Sequence, residues 1–275
     1  MKRRLFVVQA IVGIIAIIVG VTMYIRTAVV SVREEQEYIA LAEEFVVLSP
    51  PRRDTDYAAS PTSREFLQGA EGTLVEPLEE IEHPLIIVDF ESLLELNSDT
   101  VGWIMIKDTP VNYPILQTSD NYYYLGHSFS KSRSNSGSVF ADYTVDIDNS
   151  PNIILYGHNM GSGEITKFSS LRGYVEMSYV EANPEVIIAT PESGASAWRV
   201  FAAIHVDSTD VDEVERFYRK EFEDLDDFEE FLSDVNAREF YDSGVRPEFD
   251  NRLLALSTCV SGRKTMRLVV YAYQG

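Results

Sequence analysis

Eight short runs of apolar and β-branched residues, separated by polar turns, follow one another from about residue 85 onwards. They are residues 101–106, 111–116, 137–140, 152–156, 185–189, 197–205, 252–257 and 267–273. Runs of this length and spacing are typical of β-strands in an all-β domain. Because closing a sheet removes its exposed edges, the pattern predicts an eight-stranded barrel.

Helical patterns flank these runs. Residues 90–96 (FESLLEL), 225–237 (LDDFEEFLSDVNA) and 30–48 each place their apolar side chains on one face. Residues 50–83 are rich in Pro, Ser, Thr, Gly and acidic residues and lack periodicity, which is typical of a linker. The predicted fold class is therefore mainly β with flanking helices.

The N-terminal region starts with basic residues and continues with 21 uncharged residues, 5–25. A helix of this length matches the hydrocarbon thickness of a bilayer, so the run predicts a transmembrane helix in contact with lipid. A cleaved signal peptide is the alternative, but bulky residues stand where its small-residue cleavage site is needed. The excess of positive charge before the run predicts a single-pass protein of the cell membrane, with its N-terminus in the cytoplasm.

The chain accordingly divides into three predicted parts. Residues 1–33 form a cytoplasmic tip and anchor, residues 34–84 an extracellular helix and linker, and residues 85–275 the barrel domain. The composition is acidic, with 44 Asp and Glu against 23 Lys and Arg and a formal net charge of −21. Because nucleic-acid binding needs clustered basic side chains, this balance excludes nucleic acid as an expected partner.

Cys259 is the single cysteine of the chain. One thiol forms neither a disulfide within the chain nor a multi-thiolate metal site, so Cys259 is either a small buried side chain or a reactive group. It directly follows the predicted strand 252–257, and Arg267 begins the next strand. Pairing of these two strands would bring Arg267 near Cys259, where its fixed charge and planar N–H donors can stabilise an oxyanion.

His158 is the histidine whose placement most favours a function. It follows the predicted strand 152–156 and enters a glycine-containing loop, and functional side chains concentrate in such loops. The other three histidines are interpreted as structural: His83 lies in the linker, His127 is expected on the surface of a loop, and His205 is expected within a strand of the sheet. Neighbouring histidine and arginine side chains favour the nucleophilic thiolate form of a cysteine.

Several tracts in a fixed order resemble the sortases, the cell-wall transpeptidases of Gram-positive bacteria. LYGHNM at 155–160 and LSTC at 256–259, with RLVV at 267–270, are similar to the family signature. VNYPILQ at 111–117 with DNYYYL at 120–125, and SGSVFAD at 136–142, resemble class B. The resemblance covers roughly residues 85–275. This chain departs from the family after His158: the family usually continues towards a Met-Phe pair, whereas this chain has Glu164-Ile165-Thr166-Lys167-Phe168.

The resemblance implies a sortase-type barrel and assigns three catalytic roles. Cys259 is the nucleophile, and His158 is the general acid and base. Arg267 stabilises the tetrahedral oxyanion or positions the substrate carbonyl, with Arg263 in the preceding turn as its rival. A groove for the sorting signal is implied as well, lined by Asn121, Leu125, Tyr156 and Ser257.

The implied reaction cleaves the C-terminal sorting signal of a secreted protein after Thr and forms a thioacyl-enzyme. The acyl group then passes to an amine of a peptidoglycan precursor or to a pilin lysine, without a metal or organic cofactor. Two other interpretations remain open from the residues themselves. One is a hydrolytic cysteine protease, and the other is a non-catalytic surface adhesin or scaffold in which Cys259 belongs to the core.

Overall fold

The computed structural model describes residues 2–48, 86–161 and 166–275. Within the first helix it describes the side chains of residues 13–23 and 29–45. The linker predicted for residues 50–83, with His83, lies outside the described residues.

The helices are α1 (Lys2–Phe45), α2 (Phe90–Leu96), α3 (Met177–Ala182), α4 (Val211–Phe217) and α5 (Leu225–Asn236). The strands are β1 (Val46–Leu48), β2 (Ile86–Val88), β3 (Thr100–Met105), β4 (Asn112–Leu116), β5 (Val139–Ala141), β6 (Asn152–Tyr156), β7 (Glu185–Thr190), β8 (Gly194–Asp207), β9 (Arg252–Val260) and β10 (Arg263–Gln274). Two 3-10 helices occupy Tyr123–Leu125 and Phe168–Val175.

Strands β3 to β10 close into a barrel in the order β10-β8-β7-β3-β4-β5-β6-β9. Two neighbouring pairs, β4 with β5 and β6 with β9, are parallel, and the other described pairs are antiparallel. Strands β1 and β2 form a separate antiparallel pair. The predicted eight-stranded barrel with flanking helices is therefore confirmed.

Strands β9 and β10 bury both of their faces, which explains their unbroken apolar sequences. Leu254 and Leu256 belong to the cluster inside the barrel, whereas Leu253 and Ala255 belong to a second cluster on its outside. Successive side chains of a strand point to opposite faces, so a strand covered on both sides cannot alternate with polar residues. Helices α4 and α5 provide the outer cover.

Helix α5 carries the apolar face that its sequence predicts. Asp224 caps its first turn by accepting a hydrogen bond from the Asp227 backbone N–H. Phe228, Phe231 and Val235 follow at helical spacing and are buried against the outside of the barrel. The helix therefore covers the outer faces of β8, β9 and β10.

Helix α1 ends on the barrel, with Tyr38, Leu41 and Phe45 buried in the inner cluster. The helix predicted over 30–48 ends three residues early, because 46–48 form β1 and pair with β2. No helix in the described part of the chain is long and apolar enough to cross a membrane. The transmembrane helix at 5–25 and its bilayer contact are not supported, and the single-pass membrane localisation is wrong.

Candidate active site

The carboxyl ends of β6 and β9 bring His158 and Cys259 to the same end of the barrel. These two strands are parallel, and Tyr156 pairs with Ser257 at their carboxyl ends. Thr258 Oγ1 donates to the Gly157 carbonyl at 2.7 Å, and the Gly157 N–H donates to the Ser257 carbonyl at 3.2 Å. The pairing of β6 with β9 therefore ends at Tyr156 and Ser257, and His158 and Cys259 each lie two residues beyond this last pair.

Cys259 and Arg267 lie directly opposite each other on the antiparallel strands β9 and β10. The thiol is free and half-buried. Directly opposed residues of an antiparallel pair have their Cα atoms roughly 4.5–5.5 Å apart. Arg267 Nη1 donates to the carbonyls of Lys264 at 3.0 Å and Met266 at 3.2 Å, which holds the guanidinium beside the β9–β10 turn. Arg263, the rival, pairs with Val260 beyond a register shift.

A third hydrogen bond joins the His158 loop to the cysteine strand. Asn159 Nδ2 donates to the Cys259 carbonyl at 2.8 Å, and the Gly161 N–H donates to Asn159 Oδ1 at 2.9 Å. The amide of Asn159, the residue after His158, therefore joins the loop of the histidine to the backbone of Cys259. Sequence alone assigns Asn159 no role.

The His158 ring contacts the loop before β5. Its Nε2 lies 2.9 Å from the Leu125 carbonyl oxygen, so this nitrogen donates in the tautomer that carries the proton there. Gly137, with φ of +56°, sits beside the ring. A Cβ on Gly137 would lie 2.5 Å from the Tyr124 carbonyl oxygen and 3.0 Å from His158 Cδ2. Only glycine fits between the ring and this carbonyl.

The Gly137→Ala variant is expected to lose both stability and activity. A left-handed backbone with a Cβ costs about 1–3 kcal/mol, so the Tm should fall by roughly 5 °C or more, and the displaced His158 ring should lower turnover. Differential scanning calorimetry and a peptide-cleavage assay would measure these changes. Gly126→Ala is the matched control, because nothing lies within 4 Å of its Cβ and its φ is −128°. Equal behaviour of the two variants would contradict the assigned contact.

Ser257, predicted to line the groove, is buried and lies two residues before Cys259 on β9. Its Oγ shares a 2.7 Å hydrogen bond with the Tyr218 hydroxyl. The Tyr218 ring stacks on Tyr156, with centroids 6.3 Å apart. Burial raises the pKa of Tyr218 to about 12 even though the Ser257 hydrogen bond and the charge of Arg267 lower it. The phenol is therefore neutral at physiological pH and remains available as a donor.

Asn121 and Tyr156, two other predicted groove residues, share one carboxylate. Asp142 Oδ2 accepts hydrogen bonds from Asn121 Nδ2 at 2.8 Å and from the Tyr156 hydroxyl at 3.0 Å. Its Oδ1 accepts from Thr144 at 2.7 Å and pairs with Lys220 at 3.0 Å. Burial alone would raise the pKa of Asp142, but these bonds outweigh it and hold the pKa below its usual value. Asp142 is therefore an anion that fixes both side chains.

Leu125, the fourth predicted groove residue, has 40% of its surface exposed and offers its carbonyl to His158. The structure thus brings the predicted catalytic residues to one edge and spreads the groove residues around it. The sequence interpretation did not include Asp142, Tyr218 or Gly137. Asp142 and Gly137 lie in the quoted tract SGSVFAD, whereas Tyr218 follows α4 and carries no local signal. Within the described residues, no cluster of three His, Cys, Asp or Glu could hold a metal ion.

Comparison with known proteins identifies the family. A model of the sortase domain matches residues 104–274, which is more than half of the chain. The chain belongs to the sortase family. Sortase B of Listeria monocytogenes is 36% identical to this sortase over 173 residues, covering 62% of this chain and 67% of the relative. Sortase B of Staphylococcus aureus is 29% identical over 275 residues, covering 99% and 97%.

Solved structures agree with this assignment. A Staphylococcus aureus sortase B–substrate complex superposes with a TM-score of 0.61 at 32% identity, covering 68% of this chain and 84% of that one. Clostridium perfringens sortase B gives a TM-score of 0.62 at 27% identity, covering 68% and 99%. This sortase is therefore a class B member and a cysteine transpeptidase, and its family acts on sorting-signal substrates and amine acceptors.

Proposed function

We propose that Cys259, His158 and Arg267 carry the transpeptidation, within a catalytic unit formed by residues 85–275. The observation that carries the proposal is the register of β9 and β10, which sets Arg267 directly opposite the free thiol. The parallel register of β6 and β9 supports the role of His158. The Asn159 bond to the Cys259 carbonyl supports it independently.

The first half-reaction forms a thioester on Cys259. The thiolate attacks the Thr carbonyl of a sorting signal, the C–S bond forms, and the carbonyl oxygen becomes an oxyanion. The C–N bond then breaks, and protonated His158 gives its proton to the leaving amine. In the second half-reaction an acceptor amine attacks the thioester and gives a proton to His158, and the thiolate leaves. All protons and electron pairs balance without a cofactor.

Arg267 is proposed to stabilise the oxyanion. In the described part of the chain its guanidinium hydrogen bonds both come from Nη1, so Nε and Nη2 keep donors for a substrate oxygen. A fixed planar cation next to the nucleophile costs no reorganisation when charge develops on the carbonyl.

Asn121, Leu125, Tyr156 and Ser257 are proposed to shape the groove for the sorting signal. Asp142 holds the side chains of two of them, so their positions are set before a peptide binds. For the acceptor, we propose a glycine-type amine of the cell wall, because a related sortase B has been solved in complex with triglycine. A pilin lysine offers the same attacking group.

The test is to incubate the full chain with a library of sorting-type peptides, with and without triglycine. Intact mass spectrometry followed by peptide mapping would locate any acyl adduct. We expect an adduct on Cys259 and a triglycine-ligated product. An adduct with water-released product alone, unchanged by triglycine, would indicate a hydrolase. A thiol that neither acylates nor alkylates in the native fold would indicate a scaffold and contradict the proposal.

Arg267→Lys is expected to lower kcat about 100-fold, because lysine cannot present the same fixed planar donors to the oxyanion. Steady-state kinetics on the reactive peptide would measure the loss. Arg263→Lys is the matched control on the same strand, and its kcat is expected to stay within about twofold of the wild type, in line with surface substitutions. The opposite order of the two effects would transfer the role to Arg263.

A further inference from the structure

Lys167 is a fully buried lysine in the loop that follows His158. Its Nζ lies 3.4 Å from the ring centroid of Tyr38 and 4.5 Å from that of Tyr113. Glu35 Oε2 is 3.5 Å away, which makes an ion pair longer than a charged hydrogen bond. Nζ has no hydrogen-bond partner among the described residues. The ammonium is therefore held by two aromatic faces and one carboxylate.

The backbone of Lys167 is tied to the two residues that fix the site. Lys167 forms an isolated β-bridge with Asn159, and the next residue, Phe168, donates its N–H to the His158 carbonyl at 3.1 Å. Lys167 itself has a φ of +52° and donates its N–H to the Tyr113 hydroxyl at 3.0 Å. A shift of Lys167 would therefore move His158 and Asn159 directly.

The same face of α1 that holds Lys167 also holds the loop on the other side of His158. The Tyr38 hydroxyl accepts from the Phe129 N–H at 3.0 Å and shares a 2.9 Å hydrogen bond with Ser138 Oγ. Ser138 follows Gly137, which lies against the His158 ring. One helix face therefore contacts both segments that enclose the histidine.

Glu34 and Glu35 complete this face with two carboxylates. Glu34 Oε2 accepts hydrogen bonds from Ser134 Oγ at 2.8 Å and Ser136 Oγ at 2.7 Å, in the turn that leads to Gly137. Glu35 Oε1 accepts from the Tyr113 hydroxyl at 3.0 Å, and its other oxygen faces Lys167. Glu35 is thus the carboxylate that compensates the buried charge.

We infer that Lys167 is a positioning residue for His158: its side chain is held by Glu35 and Tyr38 of α1, and the backbone of Lys167 and Phe168 is bonded to that of His158 and Asn159. The inference rests on the proposed role of His158. It makes α1 part of the active-site framework, although no residue of α1 is proposed to touch the substrate. It also gives a function to Lys167, which lies in the stretch 164–168 where this chain departs from the usual family sequence.

The charge of Lys167, and with it the contact to Glu35 and the two tyrosine rings, depends on pH. Burial lowers the pKa of Lys167 to about 8, although Glu35, Glu34 and Glu37 oppose the shift. Burial raises the pKa values of Tyr38 and Tyr113 far enough to keep both phenols neutral. The ammonium is therefore lost as the pH rises through about 8. The unfolded lysine keeps its proton to its usual pKa of about 10.5, so between these values the unfolded state binds more protons and stability rises with pH.

Activity and stability should consequently change in opposite directions above pH 8. We expect kcat to fall as Lys167 loses its contacts with Glu35 and the rings, while the Tm gains from the same deprotonation. In Lys167→Met neither kcat nor the Tm should change in this way above pH 8, because the methionine side chain fills the space between Tyr38 and Tyr113 without a titrating group. If Lys167 served stability alone, its deprotonation would raise the Tm without lowering kcat. An alkaline fall in kcat that persists unchanged in Lys167→Met would overturn the inference.

A double-mutant cycle of Glu35 and Lys167 in the full chain tests whether Glu35 acts through Lys167. Glu35→Gln leaves the lysine charge buried without compensation and is expected to lower the Tm by roughly 10 °C. It should also lower kcat about tenfold, with KM little changed, at temperatures where the variant is folded. Adding Lys167→Met should recover most of the Tm loss, because no charge is then buried, but kcat should stay at the level of Lys167→Met alone, because the contacts with Glu35 and the rings are absent in both proteins. Glu44→Gln, an exposed acid on the same helix, is the control and should change neither value.

The outcomes separate this inference from the proposed function. Additive effects of Glu35→Gln and Lys167→Met, or a Tm loss in Glu35→Gln without a loss in kcat, would overturn the positioning role while leaving the catalytic proposal intact. If Cys259→Ala kept its activity, the catalytic proposal would fail and this role with it. In that case, non-additive Tm values for Glu35→Gln and Lys167→Met would show only that the two residues form an ion pair that stabilises the fold.

Discussion

Replacing Cys259 with alanine is expected to lower the rate of peptide cleavage about 10⁴-fold or more and to remove the acyl adduct. Loss of a covalent nucleophile removes the whole two-step route, and comparable losses are typical of such enzymes. The thiol makes no described hydrogen bond from its side chain, so the Tm should change by only a few degrees. Single-turnover assays with mass detection would measure both the rate and the adduct.

Val260→Ala is the matched control for Cys259→Ala, because it removes atoms from the next residue of the same strand end, which is also half-buried. Its rate is expected to stay within a few-fold of the wild type. If the Cys259→Ala protein still formed a covalent adduct with the peptide, the nucleophile would have to be another side chain. If both variants lost activity equally, disruption of the strand end would be the cause.

His158→Asn is expected to lower kcat about 10³-fold, within the range that general acid–base catalysis contributes. Asparagine is too short to reach the position of Nε2, so the contact with the Leu125 carbonyl is lost together with the proton transfer. An activated ester, whose leaving group needs no proton, should lose much less than the peptide. Parallel kinetics on the two substrates would measure this difference.

His127→Asn provides the matched histidine control. Its ring stacks on Tyr123 with centroids 4.1 Å apart, and its Nδ1 lies 2.7 Å from the Tyr123 carbonyl oxygen. His127 therefore lies in the same 123–137 segment that contacts His158, but it does not follow the strand that pairs with β9. We expect kcat to change by only a few-fold. Equal losses for peptide and ester in His158→Asn would show that the histidine serves binding or loop geometry instead of proton transfer.

Local pattern was sufficient to predict the barrel. The bounds predicted for β6 and α2 coincide with the observed Asn152–Tyr156 and Phe90–Leu96, because turn residues or a polar cap limit both elements. Strand β8 runs from Gly194 to Asp207, longer than predicted, since ladder pairing with β7 and β10 extends it past its apolar centre. Helix α4 was missed, because seven residues give too little periodicity to recognise.

The parts of the candidate site that the sequence did not predict depend on contacts between distant segments. Tyr218 meets Ser257 only because α4 packs on β8, and the two residues lie 39 positions apart. Lys167 reads as a surface residue from its type, since lysine is almost never fully buried unless it is paired. Its partner Glu35 is on another element, so neither the pair nor its effect on His158 can be inferred from spacing.

The parallel pairing of β6 with β9 has a consequence for how the enzyme becomes active. Asn152 pairs with Leu253, so about a hundred residues of chain must fold between the two strands before they meet. Contacts of such long sequence separation form late, since the entropy of closing the intervening loop opposes them. The β9–β10 hairpin is also the last pair of barrel strands in chain order. An incompletely folded chain therefore carries its thiol apart from its imidazole, and catalytic competence should appear only in the final, cooperative step of folding.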